Sequence, residues 1–266
     1  MSTTPYFNVA VGRKLSDQWS GSPTFTTEQQ ALADELLQSI QPGRDHVPDG
    51  TFVVYPTRKD VLFVWCQNQQ LWAFLLPMKY YHFIPDPFYW LRTLQVKLPT
   101  SLDSDLELQF PVDPPSRTVG QLRSLMEKYD NGILLGSCQA VVDGARIVFR
   151  RESPPMELFE AIWQFLPYST QRTVKVTTFT ADVNPTFEMQ SIPGAIDPHW
   201  WGYVGESKLL NYPEGRYEYH LQVTIDMQDQ VEMERMFQRK SSSEIVKLIL
   251  VMLVLGIIVA FLLTSG

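Results

Sequence analysis

The chain has 266 residues, of which 44% are hydrophobic and 19% charged, with a formal net charge of −7. That composition excludes a disordered tail, and an acidic balance with no basic cluster in the body of the chain argues against nucleic-acid binding. Cys66 and Cys138 lie in apolar, strand-like runs without a CxxC or Cys/His cluster, which points to free thiols rather than a zinc site.

The first predicted helix runs from Thr26 to Ile40. Thr27 and Gln30 supply a capping box, Ala33, Leu36, Leu37 and Ile40 form one apolar face, and Pro42-Gly43 stops the helix. Three β-branched or aromatic runs follow, Thr51–Tyr55, Val61–Cys66 and Leu71–Leu76, and their short polar separators predict an antiparallel meander. From Pro77 to Pro115 the chain is rich in proline and aromatics, including Tyr80-Tyr81-His82-Phe83 and Phe88-Tyr89-Trp90. Pro111, Pro114 and Pro115 remove backbone donors and place a lobe boundary there.

From Thr118, Val119, Leu122, Leu125, Met126 and Tyr129 fall at helical spacing, with Asn131-Gly132 as a left-handed stop. Ile133–Val142 and Ala145–Arg150 flank Asp143-Gly144, which reads as a two-residue hairpin. Ser153-Pro154 opens a further helix that buries Leu158, Phe159, Ile162, Phe165 and Leu166 and ends at Pro167. Arg172–Thr180 reads as a strand, and the alternation of Tyr217–Met227 predicts another with one wet face. No internal repeat is present.

Residues 229–244 read as a charged helical stem, and residues 245–263 as a transmembrane helix carried by Leu248, Ile249, Leu250, Val251, Leu255, Ile257, Phe261 and Leu263. Arg235, Arg239, Lys240 and Lys247 precede it, so the positive-inside rule places the N-terminal bulk in the cytoplasm as a single-pass, tail-anchored chain. The expected fold class is α+β, with antiparallel sheets, a few packed helices and that one C-terminal span. The expected organisation is an N-terminal lobe over 1–112, a second lobe over 113–228, the stem and the anchor.

Glycine loops of the nucleotide-binding type, a GxSxG elbow and an HExxH helix are all absent from the sequence. His46, His82, His199 and His220 are isolated, and the acidic run Asp103, Asp105, Glu107 lacks the glycine turn and terminal glutamate of a calcium loop. These patterns give no catalytic, cofactor-binding or metal-binding residue and no cofactor. The aromatic segment His199-Trp200-Trp201-Gly202-Tyr203 supplies Trp200, Trp201 and Tyr203 as a candidate partner surface, since large aromatics concentrate at interface hot spots as well as in cores.

The block Thr118–Met189 resembles the middle domain of the bacterial GTPase-associated protein 1 family. The segments LRSLMEKYDNGILLGS and MELFEAIWQFLPYSTQRTVKVTTFT carry the likeness, with Leu166-Pro167, Arg172, Phe179 and Thr180 in the places of an "LP…R…(s/t)F(s/t)T" signature. VKVTTF stands where the family has a shorter "LSF". The resemblance covers about a quarter of the chain and implies a non-enzymatic adaptor coupling a small GTPase to effectors. Together these readings give an adaptor or scaffold at a membrane, with a protein partner and no nucleic acid. The alternative is a membrane-tethered hydrolase whose site assembles a histidine and carboxylates such as Asp103 and Asp105 in three dimensions.

Overall fold

A computed structural model describes residues 6–15, 18–40, 47–81, 84, 86–95, 102–109, 117–194 and 202–237. Strands β1 (Tyr6–Leu15) and β2 (Gln18–Gly21) pair antiparallel. Helix α1 (Thr27–Ile40) starts from a capping box made by Thr26 and Gln29, one residue before the predicted pair, and buries the expected Ala33, Leu36, Leu37 and Ile40. Strands β3 (Phe52–Pro56), β4 (Asp60–Gln67) and β5 (Gln70–Pro77) form the predicted antiparallel meander. Asn68 and Gln69 join β4 to β5 with φ of 51° and 60°, the left-handed pair of a tight hairpin.

Short helix α2 (Met78–Tyr81), helix α3 (Pro87–Gln95) and strand β6 (Leu106–Gln109) follow, and β6 pairs with the start of β1. The second half runs α4 (Val119–Lys128), α5 (Asn131–Val142), β7 (Arg146–Arg150), α6 (Met156–Phe165) and α7 (Tyr168–Gln171). It continues through β8 (Val176–Thr177), β9 (Met189–Ile192), β10 (Tyr203–Gly205), α8 (Glu206–Leu209), α9 (Arg216–Asp226) and α10 (Gln230–Phe237).

The strands join in one ten-stranded sheet, ordered β10-β7-β9-β8-β3-β4-β5-β1-β2, with β6 beside β1. This corrects the expected fold class of antiparallel sheets plus a span. The β1–β6 half is antiparallel, whereas β8, β9, β7 and β10 run parallel to one another. Helix α6 lies between β7 and β8 in the chain, and a helical crossover of that kind returns the chain in the same direction. Strands from both sides of the 112/113 boundary meet where β3 pairs with β8.

Alternate residues of the central strands enter different cores. Val61, Phe63 and Trp65 of β4 pack beneath α3, α4, α5, α6 and α9, while Leu62 and Val64 pack with α1, Phe25 and Phe187 on the opposite face. A sheet covered on both faces accounts for the nearly unbroken apolar run of β4.

Three local expectations are also corrected. Residues 133–142 are helical, because Asp130 accepts the Gly132 and Ile133 N–H groups at 2.8 and 3.3 Å and so caps α5. Asp143-Gly144 then turns a helix into a strand rather than closing a hairpin, with Gly144 at φ +82°. Residues 217–226 are helical too. Leu221, Thr224 and Ile225 point inward at helical spacing, while Tyr219 and Met227, expected on the core face of a strand, are 60% and 76% exposed. Of Arg172–Thr180 only Val176 and Thr177 make strand pairs, and Pro155 rather than Ser153 precedes the first turn of α6.

The membrane expectation is corrected as well. Among the described residues no helix is long and apolar enough to cross a membrane. The longest of them, α1, has 14 residues against the roughly 20 a span requires. The segment 245–263 with its eight anchor residues, and Arg239, Lys240 and Lys247, lie outside the described residues. The single-pass, tail-anchored and cytoplasm-facing assignment is withdrawn on that finding.

Candidate functional site

Helices α3, α4 and α6 enclose an open groove of about 940 Å³. Its walls begin with Asp86, which precedes the proline that opens α3. One carboxylate oxygen accepts the Phe88 and Tyr89 N–H groups at 2.9 and 3.1 Å, and the other accepts from the Gln164 side chain of α6. Asp86 is only 6% exposed. Burial, joined by the charge of Glu160, pushes its carboxyl up to about 6, against the two backbone donors and Arg92.

Across the groove, Arg92 of α3 grips Glu160 of α6 with both terminal guanidinium nitrogens. That hydrogen-bonded pairing holds the guanidinium above its ordinary value. At the other end Lys128 of α4 reaches Glu157 of α6 at 2.7 Å, and its hydrogen bond lowers the Glu157 carboxyl. Leu122, Leu125 and Ala161 give the groove apolar lining, and Tyr89 stands on its edge, 43% exposed.

Arg117 lies at the start of α4. It donates to the Leu166 carbonyl at 3.0 Å and stands 4.4 Å over the Phe237 ring, and burial pulls its guanidinium down to about 10, still charged near neutrality. Gln230 of α10 accepts the Val119 N–H at 3.0 Å and donates to the Arg117 carbonyl at 3.2 Å, tying α10 to the groove. The sequence reading missed Asp86, Arg92, Arg117, Glu157 and Glu160. Their spacing along the chain carries no motif. The Asp-Pro at the start of α3 was the one usable signal, as a helix opening.

Most residues singled out from sequence stand elsewhere. Tyr203 is half-buried on edge strand β10, with the Arg146 guanidinium 6.0 Å from its ring, while Trp200, Trp201 and His199 lie outside the described residues. Arg235 pairs with Glu232 at 3.2 Å on α10, and the same glutamate meets His220 of α9 at 3.2 Å on the surface. Asp105 accepts the Thr24 hydroxyl at 2.7 Å, a tie between two loops. His46 and His82 also lie outside the described residues. Of the aromatic block, Tyr81, Phe88 and Trp90 are core.

Both serine and threonine hydroxyls lining the groove are engaged locally, Ser124 with the Gly120 carbonyl at 3.0 Å and Thr118 with Gln121 at 3.2 Å. Neither meets a carboxylate or imidazole that could activate it. Among the described residues no cluster of histidine, cysteine, aspartate and glutamate could hold a metal ion. Both cysteines are buried free thiols; Cys138 donates to the Phe165 carbonyl at 3.0 Å, and burial raises its pKa.

No protein family, no curated protein and no solved structure matches the chain.

Proposed function

We propose that the chain is a non-enzymatic adaptor that seats a segment of a protein partner in the groove among α3, α4 and α6. The observation that carries this reading is the arrangement of the walls. Ion pairs Arg92–Glu160 and Lys128–Glu157 bridge α3 to α6 and α4 to α6, so the rim presents balanced charge around apolar side chains. A polar rim around an apolar centre is the usual anatomy of a protein–protein contact. Asp86 caps α3, Glu160 and Glu157 pair with Arg92 and Lys128, and Asp105 accepts from Thr24.

A small GTPase or an effector of the same system is the partner to test first, on the resemblance of residues 118–189. In that region the order is α4, α5, β7, α6, so the segment ILLGS, where the resembled family has a short strand between two helices, is helical here. The test immobilises the chain and presents GTPases encoded beside it, loaded with GDP or a non-hydrolysable GTP analogue. Tyr89→Ala and Leu125→Arg are expected to weaken capture, Tyr89→Ala by about 1–3 kcal/mol, with melting temperature little changed for Tyr89→Ala. Capture unaffected by either variant would remove the groove from the reading. Hydrolytic turnover by the purified chain that vanishes with His220→Ala or Asp105→Asn would instead establish a hydrolase, with no membrane tether implied.

A further inference from the structure

The β3–β4 turn and the α7–β8 connection meet at a second depression of about 600 Å³, which shares no lining residue with the groove. Arg58, Arg172 and Lys175 line it together with Thr57, Ser169 and Thr173, and no carboxylate is among its lining residues. Arg172 and Lys175 stand three residues apart on the α7–β8 connection, and Arg58, far from them in sequence, joins them through the β3–β8 pairing. Among the described residues no ion pair includes any of them.

Two of the cations face aromatic rings: Lys175 stands 4.7 Å over Tyr55 and Arg172 is 5.9 Å from the Tyr168 ring. Ring faces offset part of a positive charge but give it no counter-ion. The backbone around the cations is fixed. The Thr57 N–H and hydroxyl both donate to the Asp60 carbonyl, at 2.7 and 2.8 Å, which closes the turn that presents Arg58. The Glu188 carboxylate accepts the Lys175 backbone N–H at 2.6 Å. Lys59 adjoins this turn, and its carbonyl accepts the Met78 N–H at 2.7 Å beside Lys79.

On a chain of net charge −7, three cations lining one depression, with no carboxylate among the described lining residues and no ion pair to neutralise them, favour the arrival of an anion. The geometry points to a site for a small phosphorylated molecule, with its phosphoryl group between Arg172 and Lys175 and Arg58 closing over it. An arginine fork and a lysine point charge match the oxygens and double charge of a phosphoryl group, while the Thr57 and Thr173 hydroxyls donate to the Asp60 and Thr170 carbonyls and hold the surrounding backbone. The volume suits a small ligand, whereas the acidic remainder of the surface opposes a long polyanion. This site is independent of the groove proposed for the protein partner.

The test titrates inorganic pyrophosphate into the full chain at low ionic strength, followed by calorimetry and by thermal melts. Saturable binding is expected, with a rise in melting temperature. The double variant Arg172→Gln/Lys175→Gln should weaken binding at least ~10-fold, while Arg123→Gln, which changes an exposed cation on α4, leaves it intact. Should the double variant fail to fold, Arg58→Gln on the exposed turn carries the comparison. Absence of saturable binding would overturn the proposal, as would equal losses in Arg123→Gln. A response to citrate matching that to pyrophosphate would overturn the phosphoryl assignment, and retention on anionic phospholipid vesicles without pyrophosphate binding would transfer the patch to a lipid surface.

Discussion

Asp86 serves the fold at an electrostatic cost. It caps α3 and anchors Gln164, yet its carboxyl is raised to about 6 from an ordinary 3.8. Between those values the folded chain holds a proton that the unfolded chain releases, so this group lowers stability as pH rises through the window. Above the window the cost is about 3 kcal/mol. Asp86→Asn keeps a capping oxygen without a charge and is expected to gain on wild type in denaturant melts as pH goes from 4 to 7; a constant gap across that range would contradict the assignment. Thr178 makes a different local contribution, since its hydroxyl accepts the buried Phe52 N–H at 2.8 Å. Thr178→Val preserves shape but leaves that donor unpaired, and equilibrium unfolding should show a loss of about 1–3 kcal/mol. Gly136 of α5 packs on α8 so closely that an added Cβ would stand 2.1 Å from the Leu209 carbonyl oxygen. Gly136→Ala should therefore cost about 1–3 kcal/mol, read as a lowered melting temperature.

At the scale of elements, legibility followed whether a local signal had a competitor. Helix α1 could be read from its one periodicity and clear stops, and the meander from short β-branched and aromatic runs between polar separators. Residues 133–142 are apolar nearly throughout, and eight of the twelve residues of α5 are buried, so no period distinguished helix from strand. The decisive residue is Asp130, which caps α5 directly before Asn131-Gly132, the pair that read as a helix stop. Asp130→Ala is expected to cost about 1 kcal/mol, with lost helical signal in circular dichroism on partial denaturation. In α9 the alternation of Tyr217, Tyr219, Leu221, Val223, Ile225 and Met227 fitted a strand, but burial of Leu221 with Thr224 and Ile225 shows that tertiary packing chose the helical face. The groove was unreadable for another reason. Asp86, Arg92, Glu157 and Glu160 come from helices separated by more than sixty residues, and only the fold makes them neighbours.

For the whole molecule, the order β8-β3-β4 runs the sheet through both halves of the chain. Fragments covering 1–112 and 113–237 would each carry exposed strand edges and half of the larger core, which draws on Phe63 and Trp90 as well as Phe149 and Trp163. Neither fragment alone is expected to melt cooperatively, whereas mixing them should restore a transition; two independent sharp melts would establish separate lobes.

The join between the halves is narrow. β8 offers two residues, each paired with β3 on one side and β9 on the other. Hydroxyls widen it: Thr178 accepts the Phe52 N–H at 2.8 Å, and Thr180 donates to the Ile40 carbonyl at 2.9 Å. Under mechanical load applied between β2 and β10, force must cross this short rung. Within the sheet, resistance at this rung therefore rests on two threonine hydroxyls as much as on paired backbone, and the core shared by α3 and α6 bears the load beside it.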